Sequence, residues 1–495
     1  MKRTIYTILF AVTSIVSMAQ DTHYWNYRFG TRAALMAGAA VGGIEDNSSV
    51  VYNPALLSFV KSKSVSLNAN VYQVVNVLSK NGAGTGLDVS SSQFSAVPIT
   101  VSGLLPKSDS SRLTMGYALL VPTEFTFKAS AYVSGAKYIV AESLSPGPED
   151  YVGQFSLNSR LSENMGAFAF SYKLNNHWSL GLTNEFTYRS HTYARNELAR
   201  LVLNNSAASL VSTSETVNVD YTNLRYDAKL GIVYYVGNWS LGLVIKSPSL
   251  NILGTATVAR DFVANNLLIN IETNPSKPAN FQRVNYAVND RQTNLPTTYK
   301  SPLSVAMGFS YRYVKGVFAG SLEWFGSTGI YSIVSPSDQS FRRPSNLPLD
   351  GETFMQVSAS NLSVLNVALG YERTINQKIN LSCGIRTNRS FFDPVFDQRV
   401  DQRYQKVLNN NAINLDISSW DIYHTVLGGT FKKERRDLYV GINYSFAFDR
   451  SVKQFANFDN PSETSFLLGQ RYETSAHFYS FGVLLGYTLR LKATN

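Results

Sequence analysis

The sequence predicts an all-β chain, a transmembrane antiparallel β-barrel of about 14 strands with an N-terminal plug in its lumen. Three observations carry this. Stretches in which apolar residues alternate with small or polar ones occur in pairs joined by tight turns. Long polar segments separate the pairs. The N-terminus reads as an export signal, followed by roughly 40 residues with no strand rhythm.

Composition narrows the class first. The chain has 495 residues, 44% hydrophobic, 13% aromatic and only 16% charged, with a mean hydropathy of −0.09. Charge is well below the usual share of about a quarter. After the N-terminus no uninterrupted apolar run reaches the roughly 18 residues of a membrane helix, which excludes a helical bundle. Any membrane crossing must be made by strands. The formal charge is +10, but the basic residues are scattered and no familiar nucleic-acid motif occurs, so no nucleic-acid partner is expected. The one dense run, Lys432, Lys433, Arg435 and Arg436, fits a solvated turn beside lipid head groups.

Lys2 and Arg3 precede an apolar core at residues 5–16, and Ser17-Met18-Ala19 offers a small-x-small cleavage site before Gln20. Residues 1–19 are therefore read as a signal peptide, with no Cys after the site to mark a lipoprotein. Cys383 is the only cysteine and cannot close an intrachain disulfide. Stability must come from elsewhere, and a closed hydrogen-bonded barrel supplies it.

The strands follow in order through residues 62–495. Weaker ones lie near 64–78, 92–105 and 112–130. The first clear hairpin alternates Gly166, Phe168, Phe170 and Tyr172, turns at Asn175-Asn176, and leaves through Trp178, Leu180, Leu182, Phe186 and Tyr188. A second turns at Gly237-Asn238 and a third at Lys315-Gly316. A fourth joins Leu365–Tyr371 to Ile379–Ile385, and a fifth joins Tyr423–Phe431 to Leu438–Phe448. The last strand alternates from Tyr479 to Leu491, about 13 residues, which suits a tilted membrane strand. Polar segments at 193–215, 257–297, 331–357, 393–419 and 450–475 read as long extracellular loops opposite short periplasmic turns. Trp178, Trp239, Tyr172 and Tyr313 beside the short turns form an expected aromatic girdle.

A barrel of this size is too wide to be filled by its own side chains. Residues 20–61 are read as the segment that fills it. Here the chain resembles the FadL-type outer-membrane transporters of long-chain fatty acids and other hydrophobic compounds. The resemblance rests on Gly30-Thr31-Arg32-Ala33-Ala34-Leu35-Met36-Ala37-Gly38-Ala39, on Glu45-Asp46-Asn47-Ser48-Ser49, and on Val51-Tyr52-Asn53-Pro54-Ala55. It implies a hatch in the lumen, ligand capture by extracellular loops, and a gap in the third strand through which a hydrophobic ligand leaves sideways into the bilayer. Pro122 in the third strand lacks a ladder donor and is the candidate for that gap, the alternative being a simple edge irregularity near a loop.

Two loop segments carry apolar patches read as short amphipathic helices that catch ligand or else simply cap the barrel: Leu198, Leu201 and Val202 in one, Phe262, Val263, Leu267 and Leu268 in the other. The implied partners are a hydrophobic small molecule or fatty acid, outer-membrane lipids including lipopolysaccharide, and the barrel assembly machinery, although Lys492-Ala493-Thr494-Asn495 follows the last strand where many barrels end on an aromatic. A barrel-borne hydrolase would want a base beside an activated nucleophile. The five histidines, His23, His177, His191, His424 and His477, lie in unrelated segments with no G-x-S-x-G. Spacing for a metal is absent as well, so no cofactor or metal is expected. The rival reading is a barrel that no longer transports and whose extracellular loops bind a protein partner.

Overall fold

The computed structural model describes residues 21–26, 29–60, 63–95, 100–105, 111–270, 278, 280–337, 354–394 and 412–491. The signal peptide, Gln20 and residues 492–495 lie outside the described residues, as do parts of the expected loops 257–297, 331–357 and 393–419.

The chain forms a closed antiparallel barrel of fourteen staves. They are β1 (Ser64–Ser79), β2 (Val89–Ser95 and Thr100–Leu104), β3 (Leu113–Lys137), β4 (Glu149–Lys173), β5 (Trp178–Val202), β6 (Leu210–Val236) and β7 (Trp239–Lys246 and Leu250–Asn270), followed by β8 (Phe281–Pro296 and Ser304–Tyr313), β9 (Gly316–Phe325), β10 (Val364–Thr374), β11 (Ile379–Asn388), β12 (Ile422–Lys433), β13 (Arg436–Lys453) and β14 (Glu473–Arg490). Closure is made by β1 on β14, in register from Ser64 opposite Arg490 to Ser79 opposite Ala476. No sheet edge is left at the level of that seam, which a strand protein in lipid requires.

The expected hairpins form with the expected turns. Outward side chains near them are exposed and aromatic: Trp178 stacks on Tyr234 at 4.3 Å and Trp239 lies 4.8 Å from Tyr311. Above this girdle, β4 carries Phe170 and Phe168 outward, and β5 carries Leu180, Phe186 and Tyr188. This is an apolar band about the height of a bilayer core.

The barrel is lopsided. Staves β4 and β5 have 25 residues each and β6 has 27, whereas β9 and β11 have 10. At about 3.4 Å per residue, the long staves run roughly 50 Å further along the strand. Two expected loops are corrected by this: residues 193–215 and 257–297 are largely the upper parts of β5 to β8. Leu198, Leu201 and Val202 lie on β5, and Phe262, Val263, Leu267 and Leu268 on β7, in strand rather than helix.

The physical reason is a change in what each face meets. Below about residue 164, β4 points Tyr172, Phe170 and Phe168 outward and Ser171, Ala169 and Ala167 inward; above it, Ser162, Arg160 and Asn158 point outward while Leu161, Leu157 and Phe155 are buried inside. The strand continues while its apolar face moves from lipid to lumen. Into that upper concavity fold a short hairpin (Tyr331–Val334 with Val357–Ala359), residues 412–421 and residues 454–472. They form an apolar cap in which Phe354, Trp420, Phe458 and Leu467 pack with Phe125, Tyr151 and Phe155 of the wall.

Candidate functional site

The segment before β1 contacts staves on every side of the ring, which is possible only from inside. Its first piece, residues 21–26, reaches the cap. Thr22 Oγ1 lies 3.0 Å from Ser418 Oγ and His23 Nε2 lies 3.0 Å from the Trp420 carbonyl. Tyr24 stacks on Phe325 at 4.2 Å, and Trp25 Nε1 donates to Glu323 at 2.7 Å.

The sequence motifs of this segment have individual physical reasons. Gly30 and Gly38 take φ of +79° and +81°, the left-handed region that side chains disfavour. A Cβ at Gly30 would lie 2.3 Å from that of Ser48. Arg32 opens the short helix α1 (Arg32–Leu35) and forks onto Glu372 of β10, with Nε and Nη2 at 3.0 and 2.8 Å from its two oxygens. Leu35 and Met36 press against wall glycines: a Cβ on Gly441 would lie 2.5 Å from Leu35, and one on Gly370 would lie 2.7 Å from Met36.

In the Asn-Pro-Ala triplet each residue has a task. Asn53 accepts from the Ala55 amide at 3.1 Å and donates to the carbonyls of Val41 (2.9 Å) and Ile232 of β6 (3.2 Å). Pro54 begins the 3-10 turn Pro54–Phe59, where a missing N–H does no harm. Ala55 is fully buried against the wall, where a Cβ on Gly181 would lie 2.4 Å from its amide nitrogen.

Pro122 sits at a break in the wall. In the β3–β4 ladder Leu120 faces Met165 and Thr123 faces Glu163, so Val121 and Pro122 together oppose Asn164. On the other side, among the described residues, β2 and β3 share ladder register only from Val101 to Leu104 opposite Leu119 to Gly116. Above that, the joint is made by side chains: Gln93 Nε2 donates to the Thr126 carbonyl at 3.2 Å, and the Lys128 amide to Ser91 Oγ at 3.1 Å.

Behind the break is a cavity of about 140 Å³. Phe29, Val41, Tyr52 and Met165 make its apolar side, with Pro122 in the lining. Charged side chains also line it: Glu185, Lys229, Lys246, Glu323 and Arg386. Glu185 is held by Lys229 at 2.7 Å and Lys246 at 3.0 Å, and Lys229 also donates to the Val51 carbonyl at 2.6 Å. A cavity that is apolar on one side has room for a compact hydrophobic molecule; a dry cavity of about 150 Å³ accepts benzene.

The seven loop residues do not converge on one surface. Leu201, Phe262 and Leu267 turn inward into the cap core, whereas Val202 is exposed and Leu198, Val263 and Leu268 are half-buried. Sequence reasoning missed the charges of the inner wall. Glu163 binds Arg189 at 2.9 Å and Arg225 at 3.0 Å, and Arg189 lies 3.9 Å over the Tyr299 ring. Their signal was charge at alternate positions of β4, β5 and β6, on the face opposite the lipid-facing aromatics. The fold also sets His191 Nε2 3.0 Å from Ser159 Oγ. Its Nδ1 has no hydrogen-bond partner among the described residues, so no third group orients the ring as in a hydrolase.

No family profile and no curated protein matches the chain. Solved structures do. A FadL homologue from Pseudomonas aeruginosa aligns with a TM-score of 0.54 at 13% identity, over 97% of this chain and 100% of that one. The toluene transporter TodX of Pseudomonas putida gives 0.52 at 12%, over 94% and 99%. The toluene transporter TbuX of Ralstonia pickettii gives 0.51 at 10%, over 94% and 98%. The chain has the FadL-type fold. Identities this low speak to architecture, and in this FadL-type barrel the groups that meet a ligand must be argued from its own lumen.

Proposed function

We propose that the chain is an outer-membrane channel for hydrophobic compounds, with residues 20–61 as its hatch. Cargo is caught at the capped outer end, held in the cavity beside Pro122, and released sideways through the break between β2 and β3. The observation that carries this reading is the bulge of β3 at Val121 and Pro122 with a cavity behind it that is apolar on one side. Apolar cargo alone gains from such a route, because a polar solute entering hydrocarbon leaves its groups unsatisfied at several kcal/mol each. The size of the cavity favours a compact hydrophobe; a long-chain fatty acid needs the hatch or the cap to yield.

Uptake of labelled toluene and of a long-chain fatty acid tests the reading, in cells carrying the parental chain, Pro122→Val, or a disulfide bridging the β2 and β3 edges in a Cys383→Ser background. Both variants should assemble, as judged by heat-modifiable electrophoretic mobility, and lose uptake, the clamp more than Pro122→Val. Normal assembly with parental uptake of every hydrophobe refutes lateral release and favours the protein-partner alternative.

A further inference from the structure

The wall has a second interruption, between β7 and β8. Their lower ladder ends at Lys246 opposite Ser304, and the upper one begins at Thr255 opposite Pro296. Residues 247–254 and 297–303 between them are outside the ladder. Three prolines border this seam, Pro248 between the two parts of β7, Pro296 at the end of the first part of β8 and Pro302 before its second, and none can donate to a ladder. The seam is closed by one main-chain bond, Ser249 amide to Ser301 carbonyl at 3.1 Å, and by side chains. The Ser301 amide donates to Ser249 Oγ at 2.8 Å and the Tyr299 amide to Asn251 Oδ1 at 2.8 Å, while Thr297 Oγ1 reaches past Gly254 to the Thr222 carbonyl of β6 at 2.8 Å. On the outside, Leu250, Ile252 and Leu253 are at least half exposed.

Its position is not arbitrary. Following cross-strand partners from the Pro122 break, Thr123 faces Glu163, Glu163 faces Arg189, Arg189 faces Asn223, and Asn223 faces Gly254 at the upper end of the seam. Both interruptions therefore lie on one row of the sheet, the row at which β4 to β6 move their apolar face from lumen to lipid. Above this row the inner face of β4 to β6 is apolar and below it the outer face is, so a hydrophobe that follows apolar surface changes sides of the wall near it. The cavity behind Pro122 extends to the foot of the seam, where Lys246, Val244 and Ala306 line it.

We infer that the β7–β8 seam is a second lateral portal, through which a compact apolar molecule exchanges between this cavity and the bilayer when the Ser249, Asn251 and Thr297 bonds open. The inference rests on the transport reading for its cargo but not for its test.

The full chain carrying Cys383→Ser, Pro122→Val, Ser249→Cys and Ser301→Cys is reconstituted in phosphatidylcholine vesicles, with assembly checked by heat-modifiable mobility. An alkyl diazirine dissolved in the bilayer is photolysed and the labelled residues are mapped by mass spectrometry. Tyr299, Lys246 and Ala306 should be labelled in the reduced protein and lose labelling when the pair is oxidised, reversibly. Asn251→Ala, which loosens the seam without new cysteines, should raise it. Labelling that ignores both changes overturns the portal, and so does absence of labelling in every form. Seam-dependent labelling in a chain that takes up no hydrophobe leaves the portal standing and removes the transport reading; uptake that responds to Pro122→Val with no seam-dependent labelling does the reverse.

Discussion

Replacing Arg32 by Ala should unfasten the hatch. The Arg32 guanidinium and the Glu372 carboxylate form a two-pronged pair, with Glu372 4% and Arg32 22% exposed. Without Arg32 the carboxylate is left in the wall at the edge of a periplasmic vestibule of about 420 Å³. Breaking a fully buried pair costs about 3–5 kcal/mol, whereas an exposed one is worth about 0–1. Water in the vestibule places this pair between those limits, at about 1–3 kcal/mol, which multiplies the displaced-hatch population by roughly 5 to 150. Planar-bilayer recordings should show more frequent large openings for Arg32→Ala. Adding Glu372→Gln removes the stranded charge and should return most of the closed time. The reasoning fails if Arg32→Ala conducts as the parent does, or if the double variant is as leaky as Arg32→Ala alone.

Asn53→Ala removes a helix cap and two carbonyl contacts; a cap alone is worth about 0.5–2 kcal/mol, so protease nicking of residues 41–59 should accelerate while barrel mobility on gels stays the same. Gly242→Ala sets a Cβ 2.0 Å from the Val41 carbonyl oxygen, and the hatch should shift, read as faster amide exchange at residues 39–43; unchanged exchange would mean that the wall yields instead. In the cap, burial and the nearby Asp21 push the Asp416 carboxyl up to about 7. A carboxyl that binds its proton more tightly when folded stabilises the fold below its unfolded value, and that stability drains as pH rises from about 4 to 7. Amide exchange over residues 412–421 should therefore quicken across that window, and Asp416→Asn should flatten the dependence to the part contributed by Asp21, whose carboxyl burial also raises.

The motifs ahead of β1 stood out because their residue types answer local demands: left-handed turns at Gly30 and Gly38, a cap at Asn53, a first-turn proline at Pro54. What the motif did not disclose is its seat. The inward glycines of the staves, Gly181, Gly370 and Gly441 among them, read as the small face of an amphipathic strand, yet each leaves room for one hatch residue. Partners that lie hundreds of positions apart, as Arg32 and Glu372 do, are fixed by barrel closure and not by any local pattern. The ion pairs of Glu163, Arg189 and Arg225 were equally silent, since each charge alone looks like an ordinary residue on a wet face.

The upper staves were misread for a different reason, and it bears on how cargo moves. Alternation with period two persists through β5 from Trp178 to Val202, but the even positions pass from Trp, Leu, Phe and Tyr to Ser190, Thr192 and Asn196. Meanwhile the odd positions pass from Ser179, Thr183 and Glu185 to Tyr193, Ala199 and Leu201. A pattern that keeps its period and reverses its phase looks like the end of one strand and the start of a loop. In a membrane barrel the reversal has a plain cause: below it the wall stands between lipid and a wet lumen, and above it between water and an apolar cap. The cap offers a hydrophobe an apolar path only down to that row. Below it, the inner face of β4 to β6 carries Glu163, Glu185, Arg189, Arg225, Asp227 and Lys229, all buried, and the apolar medium lies on the other side of the sheet. A straight descent toward the hatch would surround the molecule with charges whose partners it must displace. Crossing near the row shortens its passage along that charged face, and the row is where β3 bulges at Pro122 and where β7 and β8 part.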